Sequence, residues 1–278
     1  MENTRRLSAG RLLTTFLIHV VLIIFSVLII YPLLYVIGSA FSPSNNLQGI
    51  GINPFAQNPT FAQFIRLFET TNYKLWYTNT LTIAVMVSLA TLIITSTSAY
   101  IFSRFKFMLR KQMMIAFLVF QIFPSFVGMV AIYVLLLRIG GLDTKWGLAL
   151  VYIAGNLPYN TWLVKSYMDS IPKSFDEAAR IDGASIVQQF FRLTVPLLKP
   201  IILLTTILST NGTLQLFDEV KTMTNSGPGN ATMTLSTYIY RLTFENVPTF
   251  GYAAAIAFTI FVMVALLSTI QRKVGASK

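Results

Sequence analysis

The residues with the most obvious chemical potential lie between Ser174 and Pro200, in the stretch SFDEAARIDGASIVQQFFRLTVPLLKP. Asp176, Glu177 and Asp182 are the nearest approach this chain makes to a carboxylate cluster, the arrangement that acid–base chemistry would need. Their setting speaks instead for helix ends. Ser174 stands three residues before Glu177 and Ser185 three before Gln188, in each case the spacing of a capping box. Gly183, between the two pairs, suits the left-handed conformation that closes a helix. The spacing therefore predicts two short helices joined by a tight turn. The second should end before Pro196, because proline lacks the N–H that continues a helix and disfavours helical geometry in the residue ahead of it.

Other reactive patterns are absent. The sequence has no phosphate-binding Gly-x-x-x-x-Gly-Lys-Ser/Thr loop, no nucleophile elbow and no zinc-ligand spacing, so no catalytic residue, metal site or cofactor is read from it. It has no cysteine, which removes disulfides and thiolate ligands. The single histidine, His19, sits in an apolar run with no carboxylate beside it, which reads as a packed or interfacial residue rather than a proton carrier.

The elements that must hold the polar stretch are apolar. Hydrophobic residues make up 54% of the chain and charged ones 11%, and mean hydropathy is +0.65, outside the range of an ordinary soluble domain. Charges fall in clusters that leave six long apolar runs, each with the roughly 18 residues a membrane helix requires. The expected fold is an all-α integral membrane protein with six transmembrane helices, a single domain over 1–278 with the helix-turn-helix loop at 172–200 between the fourth and fifth spans. The first span covers about 12–40 and the second 76–102. The third, 112–137, is interrupted at Phe123-Pro124-Ser125. The fourth begins near 146, the fifth covers 200–220, and the sixth runs from the small residues Gly251-Tyr-Ala-Ala-Ala255 to Arg272-Lys273.

Fifteen of the 21 Lys and Arg residues, Arg5, Arg6 and Lys278 among them, fall on the side that carries both termini and the loop. The positive-inside rule makes that side cytoplasmic. A basic belt at a membrane face accounts for the formal charge of +11 without nucleic acid as a partner.

Polar residues inside the spans are the remaining candidates. Gln121 stands beside Pro124, which either kinks a packed helix or marks a pathway. Asn156 and Asn160 flank Pro158 in the fourth span, bonding to a neighbouring helix or lining a cavity. Asn211, Gln215 and Asp218 recur at i, i+4 and i+7, with Glu219 beside them, a spacing that places them on one helical face looking into a hydrated cavity, unless Asp218 and Glu219 lie past the helix end. In the outer loop before the second span, Phe61, Phe64, Ile65 and Phe68 fall at helical spacing. They predict a short amphipathic helix on the membrane surface or tucked over the bundle, with Tyr73, Trp76 and Tyr77 as interfacial anchors. A second outer loop, punctuated at Asn225-Ser-Gly-Pro-Gly-Asn230, leads into a helix around 233–242.

The run Glu177-Ala-Ala-Arg-Ile-Asp-Gly-Ala184, with Phe190 and Pro196 following, resembles the cytoplasmic loop of importer permease subunits of ATP-binding-cassette (ABC) transporters. Pro158-Tyr-Asn-Thr-Trp162, Ile171-Pro172 and Asn225-Ser-Gly-Pro228 resemble the carbohydrate-uptake branch of that family, its smaller maltose-type subunit. The resemblance implies a multi-pass protein of the bacterial cytoplasmic membrane that is not an enzyme. Glu177, Ala178, Ala179, Asp182, Gly183, Ala184, Phe190 and Pro196 would then couple it to a separate ATPase dimer that binds the ATP. The further partners implied are a second homologous permease subunit, an extracellular solute-binding protein, the lipid bilayer and a sugar or oligosaccharide substrate. Gln121, Asn156, Asn160, Asn211, Gln215 and Asp218 are the candidate translocation cavity. A permease for peptides, polyamines or phosphate is the alternative, with a membrane enzyme behind it.

Overall fold

The computed structural model describes residues 9–46, 51, 53–56, 58–245 and 247–276. Arg5, Arg6 and Lys278, counted above in the basic tails, lie outside them. Among the described residues the fold is all-helical, as expected. The chain divides into two compact units, Met1–Thr71 with Ile239–Phe258, and Asn72–Tyr238 with Thr259–Lys278.

The first unit is built on α1 (Ala9–Ala40) and α2 (Ala62–Thr70). α1 is apolar on all sides and its membrane-length window is 0% buried, so it relies on an apolar surrounding. His19 hydrogen-bonds through Nδ1 to the Thr15 carbonyl one turn back at 2.7 Å, which occupies it within its own helix. α2 is the predicted amphipathic helix. It buries Gln63 and Leu67, and Gln63 donates to the Ser42 carbonyl at 3.0 Å. Phe61, Ile65 and Phe68 stay exposed. The rings of Phe41, Phe61, Phe64 and Phe258 cluster at centroid distances of 5.3 to 6.2 Å.

The second unit centres on α3 (Tyr73–Arg104). It continues through α4 (Arg110–Ile122), α5 (Ser125–Arg138), α6 (Lys145–Asp169), α7 (Ser174–Ile181) and α8 (Ile186–Gln189) to α9 (Val195–Leu214). α10 (Leu235–Tyr240) belongs to it up to Tyr238 and α11 (Phe250–Ala276) from Thr259 onward. At one end of α3, Ile83 and Val87 pack against Leu148 and Ala149 of α6 and against Leu216 and Val220 beyond α9. At the other end, Ala99 and Tyr100 pack against Val164 and Met168 of α6 and Leu198 and Ile201 of α9. Between these clusters hydroxyls replace hydrocarbon: Ser88 of α3 bonds Thr210 of α9 at 3.0 Å, and Thr210 accepts from Gln271 of α11 at 2.9 Å. Small polar side chains let helix backbones approach closely while bonding across the gap.

Among the described residues, four helical stretches are long and apolar enough to cross a membrane: Leu13–Ala40, Tyr73–Arg104, Ile186–Leu214 and Phe250–Gly275. Arg110–Ile122 and Val127–Arg138 make a fifth only if taken together, because they meet at a bend of 107°. The bend falls at Pro124, which holds Phe123 in extended geometry, so the first helix ends at Ile122 and the two helices are separate rather than one kinked helix. α6 has the length, at 25 residues, but its Asn156, Pro158, Asn160 and Lys165 keep it outside that apolar class.

Three further expectations are corrected. The helix entering the fifth span does not stop before Pro196. It runs from Ile186 to Leu214, passing through a π-helical turn at Phe190–Thr194. There the Val195 N–H reaches back five residues to the Phe190 carbonyl, so the ladder is already offset where Pro196 fails to donate. At its other end the helix stops at Leu214, with Gln215 as its cap, so Asn211, Gln215 and Asp218 do not share one helical face. Finally, Tyr73 and Trp76 are buried rather than interfacial, Trp76 lying with its ring centroid 3.9 Å from that of Tyr238.

Candidate functional site: a helical knob between α6 and α9

α7 and α8 form the predicted helix-turn-helix, and its closing turn follows hydrogen-bond accounting. Gly183 has φ +79°. The Gly183 N–H donates to the Arg180 carbonyl at 3.0 Å and the Ala184 N–H to the Ala179 carbonyl at 2.9 Å. This is the Schellman arrangement, in which a left-handed residue satisfies the last carbonyls of a helix. Immediately afterwards the Ser185 hydroxyl accepts from the Gln188 N–H at 3.3 Å and the Gln188 side chain accepts from the Ser185 N–H at 2.9 Å. That capping box is the one expected.

The matching box at Ser174 does not form. Lys173 already has helical φ and ψ and stands at the cap position, without a side-chain cap bond. Ser174 is therefore the first helical residue, and a cap must lie outside the helix for its side chain to reach the free N–H groups. Ser185→Ala is accordingly expected to destabilise the knob by about 1 kcal/mol and Ser174→Ala to be close to neutral. Hydrogen–deuterium exchange over 174–194 reads the difference.

The coupling candidates are placed as follows. Glu177, Ala178, Asp182, Gly183 and Pro196 are exposed, while Ala179, Ala184 and Phe190 are half-buried. Around them stand apolar side chains that the chain leaves uncovered: Ile181 is 86% exposed, Val187 and Phe191 65% each, with Phe175 and Ile186 about half exposed. A rigid, capped knob with an apolar, acidic-edged surface is suited to a protein cleft.

Sequence reading missed what fastens this knob. Asp176 is buried and forms an ion pair with Arg104, the last residue of α3, Nε to Oδ2 at 2.8 Å. Arg104 also donates through Nη2 to the Ile171 carbonyl at 3.2 Å. Next to it, Ser103 donates to Asp169 at 2.6 Å, and Lys165 pairs with the same carboxylate. Gln189, 1% exposed, donates to the Ala184 carbonyl at 2.8 Å, and Phe190 stacks edge-on with Tyr100 at 5.1 Å. The partners are 66 or more residues apart in sequence, apart from the local Lys165 and Gln189 contacts, and no spacing signal connects them.

The cavity candidates do not assemble into one site. Asn160 donates to the Asn156 carbonyl at 2.9 Å and to Ser209 of α9 at 3.3 Å, joining helices. Asn211 accepts from Ser268 at 3.4 Å. Gln121, Gln215 and Asp218 are exposed. Glu219, set beside Asp218, accepts a hydrogen bond from Tyr152 of α6. A narrow, hydroxyl-rich crevice does lie between α3 and α9, lined by Ser88, Thr91, Leu92, Thr95, Thr205, Thr206 and Ser209. None of those residues was a candidate, although Ser88, Thr91 and Thr95 carry an i, i+3, i+7 signal on α3.

The loop at 225–233 is held as firmly as the knob. Asn225, Ser226, Gly227, Gly229 and Asn230 all have positive φ. Asn79 of α3, fully buried, donates to the carbonyls of Ala231 and Met233 at 3.1 Å each and of Asn230 at 3.4 Å. Asn79→Ala would take this donor from the Ala231 and Met233 carbonyls and is expected to cost about 2 kcal/mol. Faster protease cleavage at 225–233 in the detergent-solubilised protein checks it.

A bundle of membrane-length helices carrying a fastened, exposed knob defines a membrane protein that offers a shaped contact surface. Comparison with known proteins specifies which. Residues 93–276, which include the knob, match the model of the family described as binding-protein-dependent transport system inner membrane component. The chain is 40% identical over 195 residues to the maltodextrin transport system permease protein MdxG of Bacillus subtilis (strain 168), covering 70% of this chain and 69% of the relative. It is likewise 40% identical over 185 residues to the galactooligosaccharides transport system permease protein GanQ of the same organism, covering 66% and 65%. In structure it resembles a chain from a bacterial ABC transporter involved in the import of the acidic polysaccharide alginate, with TM-score 0.83 at 21% identity, over 97% of this chain and 99% of that one. The chain belongs to the family of binding-protein-dependent transport system inner membrane components. It is a multi-pass permease component of a transport system and not an enzyme.

Proposed function

We propose that this chain is one of two membrane-spanning halves of an ATP-driven importer for a sugar or oligosaccharide. The observation that carries the reading is the capped knob at Ser174–Thr194, whose apolar tip stands free on a segment that belongs to the matched family region. In this reading the knob docks in a cleft of a separate ATPase dimer. ATP-driven closure of that dimer then displaces the knob and rocks the helices attached to it between inward- and outward-open arrangements. Glu177 and Asp182, exposed at the knob's edge, face basic groups of the ATPase. Six spans result when α4 and α5 are taken as one broken crossing and α6 as another, which leaves both termini and the knob on the basic, cytoplasmic side. The companion half is a second homologous permease, and a solute-binding protein docks from outside.

Sugar as cargo is supported by the relatives named for maltodextrin and galactooligosaccharide transport. Gln121, Asn156, Asn160, Asn211, Gln215 and Asp218 border the pathway in this reading, Asn160 mainly by holding α6 to α9 through Ser209.

Co-purification from the native membrane tests the proposal. The expected result is an ATPase and a second permease in the complex, with ATP hydrolysis stimulated by the binding protein and a maltodextrin or a galacto-oligosaccharide. A complex stimulated by a peptide or polyamine instead would replace the cargo, and a chain purifying without an ATPase would overturn the reading.

A further inference from the structure

The knob is joined covalently to α6 and α9, and a displacement of the knob reaches those helices through the backbone. α3 has no such link, yet it is the helix around which the second unit packs. We infer that Arg104 and Asp176 form a strut that passes knob motion directly to α3, which makes them positioning residues for coupling; the inference rests on the proposed coupling role of the knob.

The geometry points to this pair for three reasons. First, it is buried, with 8% and 13% of the two side chains exposed, and ties the last residue of α3 to the first turn of α7 at 2.8 Å. A buried ion pair resists separation, because pulling it apart leaves two uncompensated charges. Second, the ends are electrostatically matched: Arg104 stands at the C-terminus of its helix and Asp176 at the N-terminus of its own, so each charge also complements a helix dipole. Third, the pair is one of several ties onto a single turn of α3. Ser103 bonds Asp169 ahead of the knob at 2.6 Å, and Tyr100 meets Phe190 behind it at 5.1 Å. The last turn of α3 is therefore gripped from both sides of the knob. A pair serving only to seat α7 would not need the Arg104 bond to the Ile171 carbonyl at 3.2 Å, which fixes the guanidinium to the α6–α7 joint as well.

The test uses the whole complex in proteoliposomes and needs no knowledge of the cargo. Because the chain has no cysteine, Leu75→Cys near the start of α3 and Leu208→Cys on α9, both partly exposed, give single sites for an environment-sensitive fluorophore. ATP with vanadate supplies the driving change. In otherwise unaltered complexes both labels should respond. Arg104→Gln and Asp176→Asn should each remove most of the α3 response, because either leaves the other charge without its partner. The α9 response and ATPase co-purification should be retained. The exchange R104D with D176R should restore the α3 signal, and Ser103→Ala, a milder change, should lower it partially. An α3 response unchanged in both single variants would overturn the strut, as would equal loss of both responses, which would make the pair a mere anchor for the knob. Gly183→Pro should silence both labels. If it leaves both responding, or if the unaltered complex gives no response, the coupling role of the knob falls and the strut falls with it.

Discussion

Gly183→Pro is expected to abolish transport while the chain still inserts and the flanking helices still form. The turn requires φ +79° at this position, and proline is confined near −65°, so the two are irreconcilable. Proline would also remove the N–H that donates to Arg180, one of the two bonds closing α7. Without that closure α8 cannot start at Ser185 in its present direction, and the apolar tip loses its shape. A graded series separates conformation from bulk, because a Cβ at this glycine would meet nothing within 4 Å. Gly183→Asn should be tolerated best. Gly183→Ala should cost about 1–2 kcal/mol through the left-handed backbone alone, and Gly183→Val more. Uptake in cells and membrane abundance, measured side by side, check the order. Normal uptake by the proline variant would remove the knob from the mechanism.

Gly147→Ala is expected to be the most damaging single methyl added to the second unit. Its Cβ would fall 1.9 Å from the Gly141 carbonyl oxygen and 2.8 Å from the carbonyl carbon. No rotamer relieves a collision with backbone. The clash is set in the turn that starts α6, where the Thr144 hydroxyl accepts from the Gly147 N–H at 3.0 Å and donates to the Gly141 carbonyl at 2.7 Å. Moving Gly141 away breaks the Thr144–Gly141 bond that closes this turn, so the loss combines a lost hydrogen bond with strain and should reach roughly 3 kcal/mol. Gly141→Ala provides the contrast. Its Cβ would meet the edge of the Trp146 ring at 2.7 Å, a side chain that can rotate away, so a smaller loss is expected. Thermal unfolding in detergent should rank Gly147→Ala well below Gly141→Ala. Equal melting temperatures would contradict the steric account.

The knob was legible because its determinants are local. Gly183, Ser185 and Gln188 act on backbone groups within a few residues, so their spacing carries the geometry. Ser174 shows the limit of that logic. It has the same spacing to Glu177, but the chain turns into helix at Lys173 and leaves the hydroxyl nothing to cap. Pro196 shows a second limit: one π-helical turn absorbs the missing donor, and periodicity cannot foresee the offset. The stripe Asn211, Gln215 and Asp218 failed for the opposite reason, since a helical spacing was read across a helix end at Leu214.

The sequence by itself determined a membrane-embedded helical chain, the apolar runs that form its long helices, and a capped polar knob, because hydropathy and hydrogen-bond capping are properties of neighbouring residues. Only the tertiary structure decided which charges are paired and which are offered. Asp176, Glu177 and Asp182 lie within seven residues of one another, yet Asp176 is sealed against Arg104 while the other two face outward. The energetic difference between them comes from desolvation and from a partner brought over by the packing of α3, and neither is encoded in local spacing.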